Sequence, residues 1–284
     1  MEYFLLNVNR PEGNMVDYWI EERQIAPIFY GQSTIKQIKN NETELTPNQK
    51  RDAELFINTF ENQNEEAIIF SISDEYIYIY KQIGKLQEIE QYLNKNNTKS
   101  LVKGFSIKIL IKKLIKESPL ILATIKSNRY MSAGTFKKLK LVSENSSYFG
   151  NILSIKYLLT DKIQEVKTFS SYLFCLSSLE FETLIAKIFE EKGYFVPAYK
   201  GGFIKNYDLF CKKNNETISL QIKLEMEEEY YNESTDYFYC INNNSVPTSN
   251  IKNWKDIKEE IEQCPRTKEW LEKTLYWVKI CEDG

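Results

Sequence analysis

Asp208, Gln221 and Lys223 bring a carboxylate, an amide oxygen and an ammonium into one short stretch. It runs Asn206-Tyr-Asp-Leu-Phe-Cys-Lys-Lys-Asn-Asn-Glu-Thr-Ile-Ser-Leu-Gln-Ile-Lys223. Two apolar-rich runs flank Asn214-Asn215, a pair suited to a tight turn because Asn tolerates positive φ. With those two residues as the loop, Lys213 faces Glu216, and counting outward sets Asp208 opposite Gln221. Opposed residues of an antiparallel pair share a face, with Cβ atoms about 5 Å apart. Lys223 lies two residues beyond Gln221 and shares that face by alternation. An Asp beside another oxygen suits a hard divalent cation, Mg²⁺ or Mn²⁺. A neighbouring lysine can orient or help deprotonate a metal-activated water and offset charge on a phosphate. The plain alternative is the solvated face of a half-buried hairpin.

The stretch upstream must position this hairpin. Ser178-Leu-Glu-Phe-Glu-Thr-Leu-Ile-Ala-Lys-Ile-Phe-Glu-Glu-Lys-Gly-Tyr-Phe-Val196 reads as a helix followed by a strand. Phe181, Leu184, Ile185, Ile188 and Phe189 form an apolar stripe at helical spacing. Ser177 or Ser178 can cap its start, and Gly193 can end it. Glu182 lies at the edge of the stripe, beside Phe189 on the helical wheel, where it can lean toward a sheet.

In this order the residues resemble the Mrr-type branch of the PD-(D/E)xK restriction-endonuclease-like family. The carriers are a helix with Phe181-Glu-Thr-Leu-Ile185, then Gly193-Tyr-Phe-Val196, a Gly-containing loop, an Asp on a strand, and Gln221-Ile-Lys223 on the next strand. The likeness covers about residues 170–284, and its specific part is Leu179–Lys223. It implies Mg²⁺-dependent hydrolysis of DNA phosphodiesters. Asp208 would be the principal metal ligand and Gln221 would replace the usual second carboxylate. Lys223 would be the catalytic lysine, and Glu182 the helix glutamate that completes the metal site. The loop departs from the family's Asp-Gly-Gly-x-Asp: this chain has Lys200-Gly-Gly-Phe-Ile-Lys-Asn-Tyr-Asp208, with no acid before the glycines.

Composition narrows the chemistry. Histidine is absent from all 284 residues, which removes Ser-His-Asp and Cys-His catalysis and His-ligated zinc hydrolases. A carboxylate–metal–lysine centre is among the few nuclease chemistries left. The five cysteines, Cys175, Cys211, Cys240, Cys264 and Cys281, show no metal spacing and read as reduced, as in a cytoplasmic protein. No apolar run approaches the ~20 residues that span a bilayer, so no membrane partner is expected. A net charge of −3 sits awkwardly with a DNA partner. However, basic residues concentrate between Lys99 and Lys140, which can place an electropositive surface mid-chain.

The N-terminal part opens with strand signals over Met1–Val8. A Trp-bearing turn and a strand follow over Asp17–Gly31, then a helix from Thr46-Pro47 to Phe60, and a hairpin of Ala67–Ser73 with Tyr76–Tyr80. Leu86–Leu93 is a helix or a short strand. Weakly, over residues 1–90, this order resembles PUA-like small barrels, which hold a flipped base in an aromatic pocket. Tyr18, Trp19, Phe29 and Tyr30 are the aromatics concerned, with Trp19 the foremost candidate for a pocket; the alternative is that they are core. Leu101–Ile115 interleaves Lys with Ile and fits strand then helix, or one basic amphipathic helix. Arg129, Lys137 and Lys138 lie among aromatics, as phosphate contact with base stacking would need. Tyr148–Thr160 is another helix or strand, and Trp254–Ile261 and Thr267–Ile280 are closing helices.

These readings combine into a mixed α+β and α/β chain. A small β-barrel-like, PUA-like recognition domain spans residues 1–95, and a basic helical connector, or an extension of the recognition domain, spans 96–165. A restriction-endonuclease-like mixed sheet flanked by helices spans 166–284. The expected function is that of a Mg²⁺-dependent DNA endonuclease of restriction or anti-phage defence type, sensing modified bases through its N-terminal domain. Cutting both strands calls for a homodimer. Two rivals are a nuclease effector switched on by a small signalling molecule, and a non-catalytic nucleic-acid-binding protein on a decayed nuclease fold.

Overall fold

The computed structural model describes residues 1–10, 13–93, 97, 99–125, 135–139, 149–197, 207–226, 234–243 and 249–281. Arg129 and the 200–206 loop fall outside them. The chain divides into two compact mixed α+β units, Met1–Lys140 and Leu141–Gly284.

In the first unit the apolar runs become one mixed sheet. Its strands are β1 (Glu2–Leu6), β4 (Ile25–Phe29), β5 (Ala67–Ile72), β6 (Tyr76–Gln82), β7 (Gln87–Leu93), β8 (Lys99–Leu114) and β9 (Phe136–Leu139). The two-residue strands β2 (Asn9–Arg10) and β3 (Gly13–Asn14) pair only with each other. The order is β4-β8-β6-β5-β1-β9, with β7 also on β8. Among the described residues of this sheet, only β1 and β5 run parallel. Helix α1 (Ile35–Lys39) precedes helix α2 (Pro47–Phe60), which starts on a capping box between Thr46 and Gln49 with Pro47 in its first turn. Helix α2 buries Ala53, Phe56, Ile57 and Phe60, and a short helix α3 (Leu120–Thr124) comes after β8. Phe56 and Phe60 meet Phe105 and Phe136 at ring-centroid distances of 4.6–5.5 Å. Such pairs each add roughly 0.5–1.5 kcal/mol beyond the area they bury.

Strand β8 corrects the helical reading of residues 101–115. Its β-branched residues fit a pleated surface, and it is paired along most of its length. Strand β4 lies on one edge of its first half, while β6 and β7 follow one another along the other edge. Gly104 permits the close approach of β4: a Cβ there would stand 2.3 Å from the Ala26 carbonyl oxygen. The supposed connector of residues 96–165 is therefore shared between the two units. The barrel expectation is not met either, because among the described residues no pairing joins β4 to β9 and the sheet stays open.

The expected electropositive surface is also reduced. Lys112 pairs with Glu21, Lys113 with Glu117 and Lys138 with Glu2. Lys103 is fully buried and donates to the carbonyls of Ser33 and Leu101, both at 2.7 Å. Its register partner Glu88 accepts the Ile35 N–H, so the pair ties the 31–35 turn to the sheet.

The second unit holds helices α4 (Phe149–Thr160), α5 (Phe169–Leu173) and α6 (Ser178–Glu191). It also holds strands β11 (Leu209–Lys213), β12 (Glu216–Met226), β13 (Tyr237–Asn243) and β14 (Ile251–Lys252), and helices α7 (Trp254–Glu262) and α8 (Pro265–Thr274). The sheet runs β11-β12-β13-β14, antiparallel in its first pair and parallel in the others. The expected closing helix over 267–280 stops at Thr274. Beyond it, β15 (Val278–Ile280) pairs in parallel with β10 (Gln164–Val166).

Burial holds the Lys103 pKa down to about 8, against the opposing pull of Glu88. The unfolded chain keeps the lysine near its ordinary value, so between about pH 8 and 10.5 the unfolded state binds more protons and stability rises with pH. In urea titrations, wild type should therefore gain on Lys103→Met by at most about 3 kcal/mol between pH 7 and 10.5. A constant difference across that range would show that burial leaves the Lys103 pKa at its ordinary value.

Candidate functional site

Strands β11 and β12 meet in the counted register, from Lys213 opposite Glu216 to Leu209 opposite Leu220. Asn214 takes the positive φ, 55°, that the two-residue turn requires. One more step brings Asp208 beside Gln221, and the Asp208 N–H donates to the Leu220 carbonyl at 2.8 Å. There the carboxylate replaces a backbone acceptor: Oδ2 accepts the Ile222 N–H at 2.7 Å. Lys223 Nζ donates to the same oxygen at 2.8 Å and to Oδ1 at 3.1 Å. The two side chains are 20% and 29% exposed, so this pair is screened less than a surface ion pair.

Alternation separates the two faces of this sheet. Leu209, Cys211, Leu220 and Ile222 point into the core, while Asp208, Gln221 and Lys223 share the opposite face. Gln221 is 8% exposed, and its Oε1 is buried with no hydrogen-bond donor. A buried acceptor left unmatched costs roughly 1–3 kcal/mol. Asp208 Oδ1 accepts only from Lys223 and keeps a further lone pair. A carboxylate lone pair and an amide oxygen are ligand types that a hard divalent cation takes.

Glu182 stands apart from this group. It is half-buried on α6 and bonded to neither Asp208 nor Lys223. Helix α6 begins on a capping box of Ser177 with Glu180 and ends at Gly193, whose φ is +85°. Its Phe189 meets Tyr239, the register partner of Ile222, at 6.0 Å between ring centroids. The helix thus covers the face opposite to Asp208, Gln221 and Lys223. Among the described residues no three Asp, Glu, Cys or His side chains gather closely enough to hold a metal ion.

Two further acids extend the row. Glu225, half-buried, follows Lys223 by alternation. Asp236 accepts both the N–H and the hydroxyl of Ser219, at 2.7 and 2.6 Å, which holds its carboxyl below the usual range. Glu225 was missed in the sequence, although alternation from Lys223 is a signal that places it on this face. Nothing local marked Asp236, because its partner lies 17 residues away.

In the first unit, Trp19 does not line a pocket. It is fully buried on a π-helical turn (Asp17–Glu22), between Tyr18, Phe29 and Tyr92, with Arg23 over its ring. No face of the indole is left for a base. Tyr30 is core as well, at 3% exposed, while Tyr18 is half-buried. Lys138 is committed to Glu2. Lys137 is half-buried, and desolvation lowers its pKa while Asp52 opposes the shift.

No protein-family model matches the chain, and neither the curated proteins nor the solved structures contain a match. No helix among the described residues is long and apolar enough to cross a membrane.

The orphaned Gln221 oxygen makes a thermal test direct. In EDTA, Gln221→Leu should unfold at the same temperature as wild type or a higher one, because the uncompensated burial is gone. Millimolar Mg²⁺ should raise the wild-type midpoint by mass action and leave the variant unmoved. Equal Mg²⁺ shifts in both proteins would remove Gln221 from any cation site.

Proposed function

We propose that this chain is a Mg²⁺-dependent endodeoxyribonuclease of the Mrr-like PD-(D/E)xK kind, serving restriction or anti-phage defence. The observation that carries the reading is the one-sided group on β11 and β12: an Asp208–Lys223 ion pair beside a Gln221 amide oxygen with no donor. The succession of helix α6, antiparallel hairpin and parallel β13 is compatible with such a nuclease core.

In this reading, Asp208 and Gln221 hold the cation without Glu182, whose helix packs on the other face of the sheet. When bound, the ion supplies a Lewis-acid centre beside a phosphodiester. The chain's own residues divide the remaining work. Asp208 is kept in place by the Ile222 N–H, so its carboxylate does not swing away when Lys223 turns to another partner. Lys223 puts an ammonium beside the scissile phosphate, where it offsets charge and orients the attacking water. Cutting both strands needs two copies of the chain. With Trp19 and Tyr30 sealed in the core, base reading in the first unit falls to Tyr18, whose hydroxyl accepts from Arg23 at 3.1 Å. A non-catalytic reading draws on the same contacts, because Ile222 and Lys223 already occupy Oδ2 of Asp208.

Cleavage of supercoiled plasmid separates these readings. Wild type with Mg²⁺ should nick or linearise the DNA, and EDTA should stop it. Asp208→Asn keeps an acceptor for the Ile222 N–H but loses the charge, and Lys223→Met keeps the stem but loses the ammonium. Each should slow cleavage at least about a hundredfold while the thermal midpoint stays close to wild type. A wild type that leaves modified and unmodified plasmid intact, with and without added nucleotides, would favour the non-catalytic reading.

A further inference from the structure

A groove of about 440 Å³ opens in the second unit, between α5, α7, α8 and β15. Its volume falls within the range of small-molecule sites, about 300–1,000 Å³. The floor is apolar: Ile261, Leu271, Leu275 and Val278 line it and are each less than 5% exposed. A concave apolar floor with a few polar groups around it is the usual lining of a small-molecule site.

One polar group is built into this wall. Tyr172 on α5 is 8% exposed and lines the groove, yet its hydroxyl bonds to no described residue. Burial pushes its pKa up to about 12, with the Glu272 carboxylate adding to the shift. It therefore stays protonated at neutral pH, offering one donor and its lone pairs. The hydroxyl meets solvent at the groove wall, where a ligand's single polar group can take the place of water.

The rim selects against net charge. Lys258, Lys268, Glu262 and Glu272 line the groove, two of each sign, and Lys279 is held by Glu165 at 3.2 Å. A carboxylate head would meet Glu272 beside Tyr172, and an ammonium would meet the lysines. We infer that the groove is a binding site for a neutral, mostly apolar small molecule with one hydrogen-bonding group, of the alkylphenol or alcohol class, and that this group bonds to Tyr172. This goes beyond the nuclease reading and does not depend on it.

Calorimetric titration of the full chain with 4-butylphenol, butylbenzene and 4-butylbenzoate tests the inference. The phenol should bind about tenfold or more tightly than either of the others, the ratio that one well-placed hydrogen bond to a buried partner provides. Tyr172→Phe keeps the ring and should bring the phenol down to the affinity of butylbenzene. Lys268→Trp, at an exposed rim position, should block all three while the circular dichroism stays native. Phenol binding unchanged by Tyr172→Phe would overturn the proposal, as would tightest binding of the benzoate. It would also fail if no probe bound and the chain formed a dimer dispersed by Lys268→Trp, since a second copy would then be the occupant.

Discussion

The carboxylate of Asp208 closes the open end of a hairpin that has run out of backbone partners. A regular ladder would offer the Ile222 N–H a main-chain carbonyl, and here a side-chain oxygen takes that place. The same oxygen then draws Lys223 inward. One side chain thereby extends the pairing set by the Asn214 turn, satisfies a buried donor and holds the Lys223 ammonium on the face opposite helix α6. Everything chemically suggestive in the second unit depends on this anchoring, because a carboxylate free to rotate would leave Gln221 and Lys223 without a shared direction.

The Gln221 oxygen is the complementary feature. Folding has buried an acceptor without supplying a donor, next to a carboxylate with a lone pair to spare. Burial of that kind persists when something outside the chain completes the shell or when the surrounding packing outweighs its cost. The helix acid behaves differently. Glu182 shares a wheel position with Phe189, and Phe189 rests on the Ile222 side of the sheet. The polypeptide thus gathers three of the four groups that the motif pattern names.

Charge in the first unit is turned to architecture. A lysine-rich run that suggested a phosphate-binding surface became the longest strand of the sheet. One of its lysines lies inside the fold on two carbonyls, and another, Lys112, is matched with Glu21 far along the chain. The aromatics of the π-helical turn were likewise spent on packing. Trp19 fills the core between Phe29 and Tyr92 and presents no ring face at the surface.

What the amino-acid order determined alone is everything set within a few residues. The Asn214 turn fixed the register that brings Asp208 beside Gln221. Ser177 and Thr46 announced their helices through capping boxes, and the stripe from Phe181 to Phe189 named its buried face. These are short-range rules of turn geometry, alternation and helical period. Tertiary structure decided the rest: whether Lys99–Leu114 would be helix or strand, which lysines would meet glutamates, whether Trp19 would face water, and which side of the sheet α6 would cover. Each of those outcomes depends on partners tens of residues away. Alternating Ile and Lys satisfy a helix and a strand nearly equally, and only the neighbouring strands β4, β6 and β7, by supplying hydrogen bonds along both edges, select between them.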